Sequence, residues 1–283
     1  MSKVDLHIHS TASDGRFSPE EIVRKAVELG LEVIALADHD SVDGIGPALK
    51  AARKFPRLRI FPAVEVSTDV PDGEVHVLGY FIDYTSRELA EELARFRSSR
   101  ERRAQKMVAK LADLGVHIDW RRVQEIAGDG TMARPHVAQA MLEKGYITSI
   151  REAFDKYIAR DGPAYVEREK LTPVEAVALI VRTNGLPVMA HPFTVPDPEV
   201  LISEMEAAGL VGIEAYYNGY TAGEISRLVS LADQHGLIVT GGSDYHGLGE
   251  IGEMMMGGVD VPMGSAERLI ALAERRALKT AKP

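Results

Sequence analysis

The sequence predicts an α/β protein with parallel strands, interrupted in its middle by a helical insertion. Three observations predict this class. Short runs rich in Val, Ile and Leu alternate with longer helical patterns, as expected of parallel strands joined by crossover helices. Ionisable residues cluster where those apolar runs end. From about Arg95 to Lys170 the pattern is helical, with no strand expected before Tyr165.

Strands are expected at Val4–Ile8, Val33–Ala37, Arg59–Val66, Glu74–Phe81, Leu186–Ala190, Gly212–Tyr216 and Leu237–Thr240. Between the first two, Pro19 opens a helix, with Ser18 as N-cap and Glu21 three residues on, a capping box. That helix ends near Gly30, which suits the position after the last turn. Further helices begin after Thr172-Pro173 and after Asp197-Pro198. Inside the insertion, Arg95–Leu114, Arg134–Lys144 and Ser149–Ile158 read as helices. The chain therefore divides into barrel residues 1–94, an inserted helical substrate cap at 95–170, and barrel residues 171–283.

With 283 residues, 45% of them hydrophobic, the chain can bury a full core. It carries 33 basic against 42 acidic residues, a net charge of −9, which argues against a globally basic nucleic-acid binder. Locally the sign reverses: Arg95 to Arg134 holds ten basic residues against five acidic ones. A solvated helix face is the plainer reading of the Arg95–Lys110 run. The absence of cysteine excludes disulfides and thiolate metal sites. No stretch of about 18 apolar residues and no apolar leader core is seen, so a cytoplasmic protein with no membrane association is expected.

The chemistry sits where strands end. His7 and His9 are spaced two apart, so on a strand they point the same way. Asp14 follows within a turn, and Asp38-His39-Asp40 follows VIALA. Glu65 follows IFPAV, His76 lies in EVHVLGY, His191 follows LPVMA, and Asp244 and His246 follow LIVTGGS. In a parallel barrel such ends converge on one face. An unpartnered buried carboxylate costs several kcal/mol, and divalent cations supply the missing charge. Nine groups exceed the roughly four ligands of a tetrahedral site. They suit two to three metals sharing a bridging carboxylate, with Mn, Fe, Zn or Co compatible with imidazole and carboxylate donors. Asp5, Asp38 and Asp40 are expected to orient ligands and not to bind metal. His117 and His235 read as fillers, Met254-Met255-Met256 as packing, and Gly241-Gly242 as turn geometry.

The segments DLHIHSTASDG (5–15), ALADHDSVDG (35–44), AVEVS (63–67) with EVHVLGY (74–80), MAHP (189–192) and TGGSDYHG (240–247) together resemble the polymerase and histidinol phosphatase (PHP) family. The resemblance implies a distorted seven-stranded (β/α)7 barrel and up to three divalent metals. It assigns His7, His9, Glu65 and Asp244 to a first metal. Glu65 then bridges to a second, completed by His76 and His191, and Asp14, His39 and His246 hold a third. Asp14 and the size of the insertion resemble the subgroup acting on nucleotides with terminal phosphates.

Phosphoester hydrolysis is thus expected, with a hydroxide bridging the metals as nucleophile. His191 or Asp244 would deliver a proton to the leaving group. Arg134-Pro135-His136 begins a helix, a place suited to phosphate, and resembles the family's clamp for a second phosphate. Tyr217 and Asn218, after a strand end, are expected to touch base or sugar. A nucleoside 3′,5′-bisphosphate is the leading substrate. Alternatives are 5′–3′ trimming of short single-stranded RNA or DNA, hydrolysis of histidinol phosphate, and a degenerate metal-free scaffold. Asp14 and the basic insertion speak against histidinol phosphate, and the filled ligand positions speak against the scaffold.

Overall fold

The structure, a computed structural model, describes residues 2–70, 73–128, 130–167, 171–249 and 253–278. Asp129 and Lys170, both counted in the expected insertion, lie outside them. Seven strands are present: β1 (Val4–Ile8), β2 (Val33–Leu36), β3 (Arg59–Val70), β4 (Gly73–Tyr80), β5 (Leu186–Met189), β6 (Gly212–Tyr217) and β7 (Ile238–Gly242). All seven were expected from the sequence, and only their ends move. They lie side by side in chain order.

The sheet departs from the all-parallel expectation at β4, which runs antiparallel to both β3 and β5. Two residues separate β3 from β4, too few for the crossover that a parallel pair needs. The remaining neighbours are parallel. At the sheet's edges Ile8 bridges Tyr245 in parallel, and the His9 amide donates to the Tyr245 carbonyl at 3.0 Å. The result is a nearly closed, distorted seven-stranded barrel.

Among the described residues, ten α-helices accompany the strands: α1 (Pro19–Glu28), α2 (Ile45–Ala52), α3 (Arg87–Asp113), α4 (Trp120–Ala127), α5 (Arg134–Glu143), α6 (Ile150–Ala153), α7 (Pro173–Arg182), α8 (Pro198–Ala208), α9 (Ala222–His235) and α10 (Met263–Arg275). The expected capping box of α1 is formed. The Glu21 amide donates to Ser18 Oγ at 3.3 Å, and the Ser18 amide to Glu21 Oε2 at 2.8 Å. Pro19, Ile22, Val23 and Ala26 are its buried residues, the one-sided spacing of an amphipathic helix. Thr172 with Glu175 and Thr221 with Glu224 start α7 and α9 in the same way. Asp197, before α8, makes no side-chain cap.

The chain divides into two compact units, Met1–Ala90 with Lys170–Pro283, and Glu91–Glu169. In the first, Leu6, Phe61, Leu78, Val188 and Leu269 belong to one buried cluster, and Ile8, Ile22, Ile34 and Ile60 to another. The second unit has its own core, with Met107, Leu111, Val123, Val137, Met141 and Ile158 fully buried. There Arg122 grips Glu143 with two nitrogens, at 2.8 and 3.0 Å, and α6 runs into a π-helical turn at Phe154–Ile158. No helix among the described residues is long and apolar enough to cross a membrane.

Gly241 and Gly242 lie inside β7 with no positive φ, so close approach and not a turn explains them. A Cβ on Gly242 would sit 2.5 Å from the His7 backbone nitrogen and closer still to its Cβ; one on Gly241 would collide with Tyr216. Gly242→Ala is therefore expected to cost about 1–3 kcal/mol. Gly46→Ala, on α2 where an added Cβ meets nothing within 4 Å, should stabilise by up to roughly 1 kcal/mol. Equilibrium urea unfolding of the two variants checks both signs.

Candidate metal centre

Each ligand candidate is brought to the site by a strand or the turn that follows it. His7 lies on β1 and His9 just beyond it, Asp14 in the following loop, His39 after β2, Glu65 on β3, His76 on β4, His191 after β5, and Asp244 and His246 after β7. Loop 10–15 is tied down by Asp38, whose carboxylate accepts from the Ser10 amide at 2.7 Å, Ser10 Oγ at 2.8 Å and Ser13 Oγ at 2.7 Å. Gly15 closes that loop, because a Cβ there would lie 2.6 Å from the His9 carbonyl oxygen.

Three of the site's strand-end residues, Asp40, His191 and Asp244, have positive φ (47°, 29° and 53°). Such conformations cost of order 1–3 kcal/mol each and persist where surrounding contacts over-determine them. Those contacts are present. Asp40 Oδ1 accepts from the Ser67 amide at 3.0 Å. The His191 amide donates to Glu214 at 2.9 Å, and Asp244 Oδ2 accepts from Tyr217 Oη at 2.8 Å.

At the centre stands Glu65, 1% exposed. Its Oε2 lies 3.4 Å from His7 Nε2, 3.3 Å from His9 Nε2 and 2.8 Å from His39 Nδ1. Its Oε1 lies 2.8 Å from His76 Nδ1 and 3.1 Å from His191 Nε2. Asp244 Oδ1 is 3.4 Å from His7 Nε2 and 3.1 Å from His9 Nε2. Asp14 reaches His246 Nε2 at 3.4 Å and His39 Nε2 at 3.9 Å.

Among the described residues, three sets have donor atoms mutually close enough to share an ion: His7, His9 and Glu65; His39, Glu65 and His76; and His9, Asp14, His39 and His246. His39 thus meets both Glu65 and Asp14. His191, expected beside His76, touches Glu65 Oε1 but falls outside these sets.

A divalent cation fits these residues. His7 Nε2, His9 Nε2, Asp14 Oδ1, His39 Nδ1, Glu65 Oε2, His191 Nδ1 and Asp244 Oδ1 are buried and make no hydrogen bond of proper geometry. Each such atom left unsatisfied costs roughly 1–3 kcal/mol. Two ligand atoms on one tetrahedral ion stand roughly 3.4 Å apart, given bonds of about 2.1 Å, close to the spacings around His7, His9, Glu65 and Asp244.

The electrostatics of these side chains follow from the same crowding. Burial opposes ionisation of Glu65, Asp14 and Asp244, yet neighbouring histidines outweigh it and hold all three well below the usual carboxylate range. Burial likewise opposes charge on His246, but Asp14 and Asp244 push it up to about 10. His76 goes the other way, to about 4, because burial with His39 and His191 nearby exceeds the pull of Glu65.

Asp5, Asp38 and Asp40 each accept hydrogen bonds from backbone amides beside the site. Asp5 accepts from the Ser243 amide and hydroxyl at 2.9 and 2.6 Å, and from the Gly257 amide at 2.7 Å. His117 is exposed, and His235 pairs with Glu206 at 2.5 Å. Met256 is buried in the core and Met255 is exposed.

Tyr217 was expected to face substrate. Its hydroxyl meets Asp244, and a bulge in β6 places it there. Pairing runs from Glu214–Thr240 to Tyr216–Gly241, so one extra residue reverses the alternation, and Glu214 and Tyr217 reach the same side. Asn218 follows at the end of β6, half-buried. In the helical unit, Arg134 opens α5 half-buried, with its guanidinium 5.4 Å from the Phe154 ring centroid. His136 is buried, and its Nδ1 accepts from the Ala133 amide at 3.1 Å. Through Nδ1 it caps the helix at whose start it was expected to meet phosphate.

Sequence reading missed Glu214, a fully buried carboxylate on β6 that contacts His7 Nδ1 at 3.0 Å. Its signal was an acid inside the apolar run VGIEAYY.

The PHP domain family matches residues 5–96. Across nearly the whole chain, the protein is 32% identical over 269 residues to the 3′,5′-nucleoside bisphosphate phosphatase of Chromobacterium violaceum, covering 93% of each. It is 33% identical over 252 residues to the 5′-3′ exoribonuclease Rnm of Escherichia coli, covering 86% of this chain and 84% of that one. Among solved structures, a Bifidobacterium adolescentis protein assigned as a metal-dependent phosphoesterase superposes with a TM-score of 0.87. It shares 28% identity, with 95% of each chain covered. With this fold, this cluster of imidazoles and carboxylates, and identity sustained over nearly all of both chains, the protein belongs to the PHP domain family.

Proposed function

We propose that this metal-dependent phosphoesterase removes the 3′-phosphate from nucleoside 3′,5′-bisphosphates, leaving the 5′-monophosphate. The observation that carries the hydrolytic chemistry is the set of seven buried, unsatisfied donor atoms around Glu65. The C. violaceum relative supports the substrate. A second reading, 5′–3′ exonuclease action on short RNA, has equal support in the E. coli relative. Both are phosphoric ester hydrolysis.

His7, His9, Glu65 and Asp244 would hold a first cation. Glu65 would extend to a second with His76 and His191, and Asp14, His39 and His246 would hold a third. His39, close to both Glu65 and Asp14, would link the second position to the third. Bound divalent cations supply charge to the phosphoryl oxygens and activate water for attack. The chain's own part is orientation and proton control. Asp244 is held by Tyr217 through Oδ2, which leaves Oδ1 turned toward His7 and His9. His191 keeps Nε2 on Glu65 and has Nδ1 buried without a hydrogen bond. A proton for the leaving alkoxide would come from His191 or Asp244, whichever of the two is not holding a cation at that step. In the helical unit, Arg134 at the N-terminus of α5 has the guanidinium chemistry to grip a second phosphate.

Glu65→Gln should lower metal content by at least one equivalent and phosphate release by about 100-fold or more, because it removes the central charge. Elemental analysis beside a phosphate assay checks both. Metal binding should also release protons. His246, with a pKa near 10 without metal, carries a proton at neutral pH that a cation must displace. Apparent affinity should therefore rise with pH up to that value and fall in acid, whereas His76, near 4, adds no such cost. Calorimetric titration at pH 7 in two buffers of different ionisation heat measures the protons released.

Phosphate release from a nucleoside 3′,5′-bisphosphate, 3′- and 5′-mononucleotides and histidinol phosphate, beside release of 5′-mononucleotides from a 5′-phosphorylated oligonucleotide, separates the substrate readings. The bisphosphate should be preferred, and Arg134→Ala should raise its KM roughly tenfold or more with little effect on mononucleotides. Preference for the oligonucleotide would establish the exonuclease instead.

A further inference from the structure

Glu214 is a carboxylate with no water access, at a position of β6 flanked by Ile213 and Ala215, both fully buried. Such a charge is kept inside a protein only where groups around it compensate. Glu214 has two such partners, and both lead to the metal centre. Its Oε1 accepts from His7 Nδ1 at 3.0 Å, and its Oε2 accepts from the His191 amide at 2.9 Å. His7 turns its other nitrogen, Nε2, toward Glu65 Oε2 and Asp244 Oδ1, 3.4 Å from each. His191 is the residue held at a φ of 29°.

We propose that Glu214 is a positioning residue for the metal centre, acting on two histidines through its two oxygens. Through Oε1 it holds the His7 proton on Nδ1, so the lone pair on Nε2 is aimed at the cation shared with Glu65 and Asp244. Through Oε2 it secures the backbone turn that brings the His191 ring onto Glu65. One carboxylate from β6 thereby sets ligands that arrive from β1 and β5. Gln at this position keeps the shape and one acceptor oxygen, but its amide nitrogen has no lone pair for the remaining donor. This proposal rests on the metal-binding reading above and not on the identity of the substrate.

The test is metal affinity by chelator competition on wild type, Glu214→Gln and Glu214→Ala, using Zn²⁺ alone, beside the melting temperature of each metal-free protein. Weakening by roughly 10–100-fold is expected, with Gln milder than Ala and the visible spectrum of the Co²⁺-loaded protein altered in both. Unchanged affinity and unchanged Co²⁺ bands in folded variants would overturn the proposal. Should the variants fail to fold, the wild type decides alone. Nitrogen-15 NMR of the Zn²⁺-loaded protein must show His7 protonated at Nδ1 and metal-bound at Nε2, and the opposite assignment overturns the proposal. A wild type that binds no metal would instead bring down the metal reading itself.

Discussion

Glu65 lies on β3 with one nitrogen from each of His7, His9, His39, His76 and His191 within 3.4 Å of its carboxylate oxygens. A carboxylate so buried would ordinarily be expelled or neutralised, since transfer of an isolated charge into the interior is prohibitive. Here the surrounding imidazoles hold it ionised. The reverse also holds, because imidazoles packed this closely need a negative centre to face. Burial, ring packing and strand placement at this end of the barrel all answer to that one requirement. His9 and His246 stack with centroids 4.1 Å apart, and His39 and His76 meet edge to face at 5.0 Å.

Convergence on Glu65 demands backbone that regular strands do not supply. The reversal at β4 carries His76 to the site from a strand running opposite to its neighbours. A bulge in β6 brings Tyr217 round to Asp244. Glycines at 241 and 242 let β7 pass against Tyr216 and His7. Around these irregularities a ring of carboxylates accepts from backbone amides: Asp5 from residues 243 and 257, Asp38 from residue 10, and Asp40 from residue 67. The positive-φ residues are thus held by charge-assisted hydrogen bonds. Packing alone does not fix them.

Much of this was legible in the sequence. Apolar runs of four to eight residues announced every strand, and the Ser18–Glu21 box announced α1 to the residue. The HxH spacing and the acids after VIALA and LIVTGGS drew attention to the right strand ends. What escaped notice depends on register and direction. Glu214 sits in an apolar run with no partner nearby in sequence; His7 is 207 positions away. The bulge that separates Glu214 from Tyr216 is a matter of hydrogen-bond pairing between two strands, and composition carries no trace of it. Gly241-Gly242 looked like a turn because a glycine pair signals one locally, whereas the constraint comes from β1 and β6. The cap made by His136 was equally hidden, because the contact of its Nδ1 with the Ala133 amide depends on the geometry of the turn and not on the residue's place in the sequence.

The contacts that close the barrel have a consequence for the order in which the molecule is made. Asp5 accepts hydrogen bonds from Ser243, 238 residues along the chain, and the His9 amide donates to the Tyr245 carbonyl. During synthesis the first histidines emerge early, but the residues that complete their surroundings emerge near the other end. Contacts of such long range are slow to form, because the loop must be closed before they bring any gain. Until then the imidazoles and carboxylates of the first strands lack the fixed geometry that these contacts give them. The last strand to arrive therefore does more than finish the sheet. It fixes the distances among side chains that the first strands carry, so the site takes its final shape only when the fold is closed.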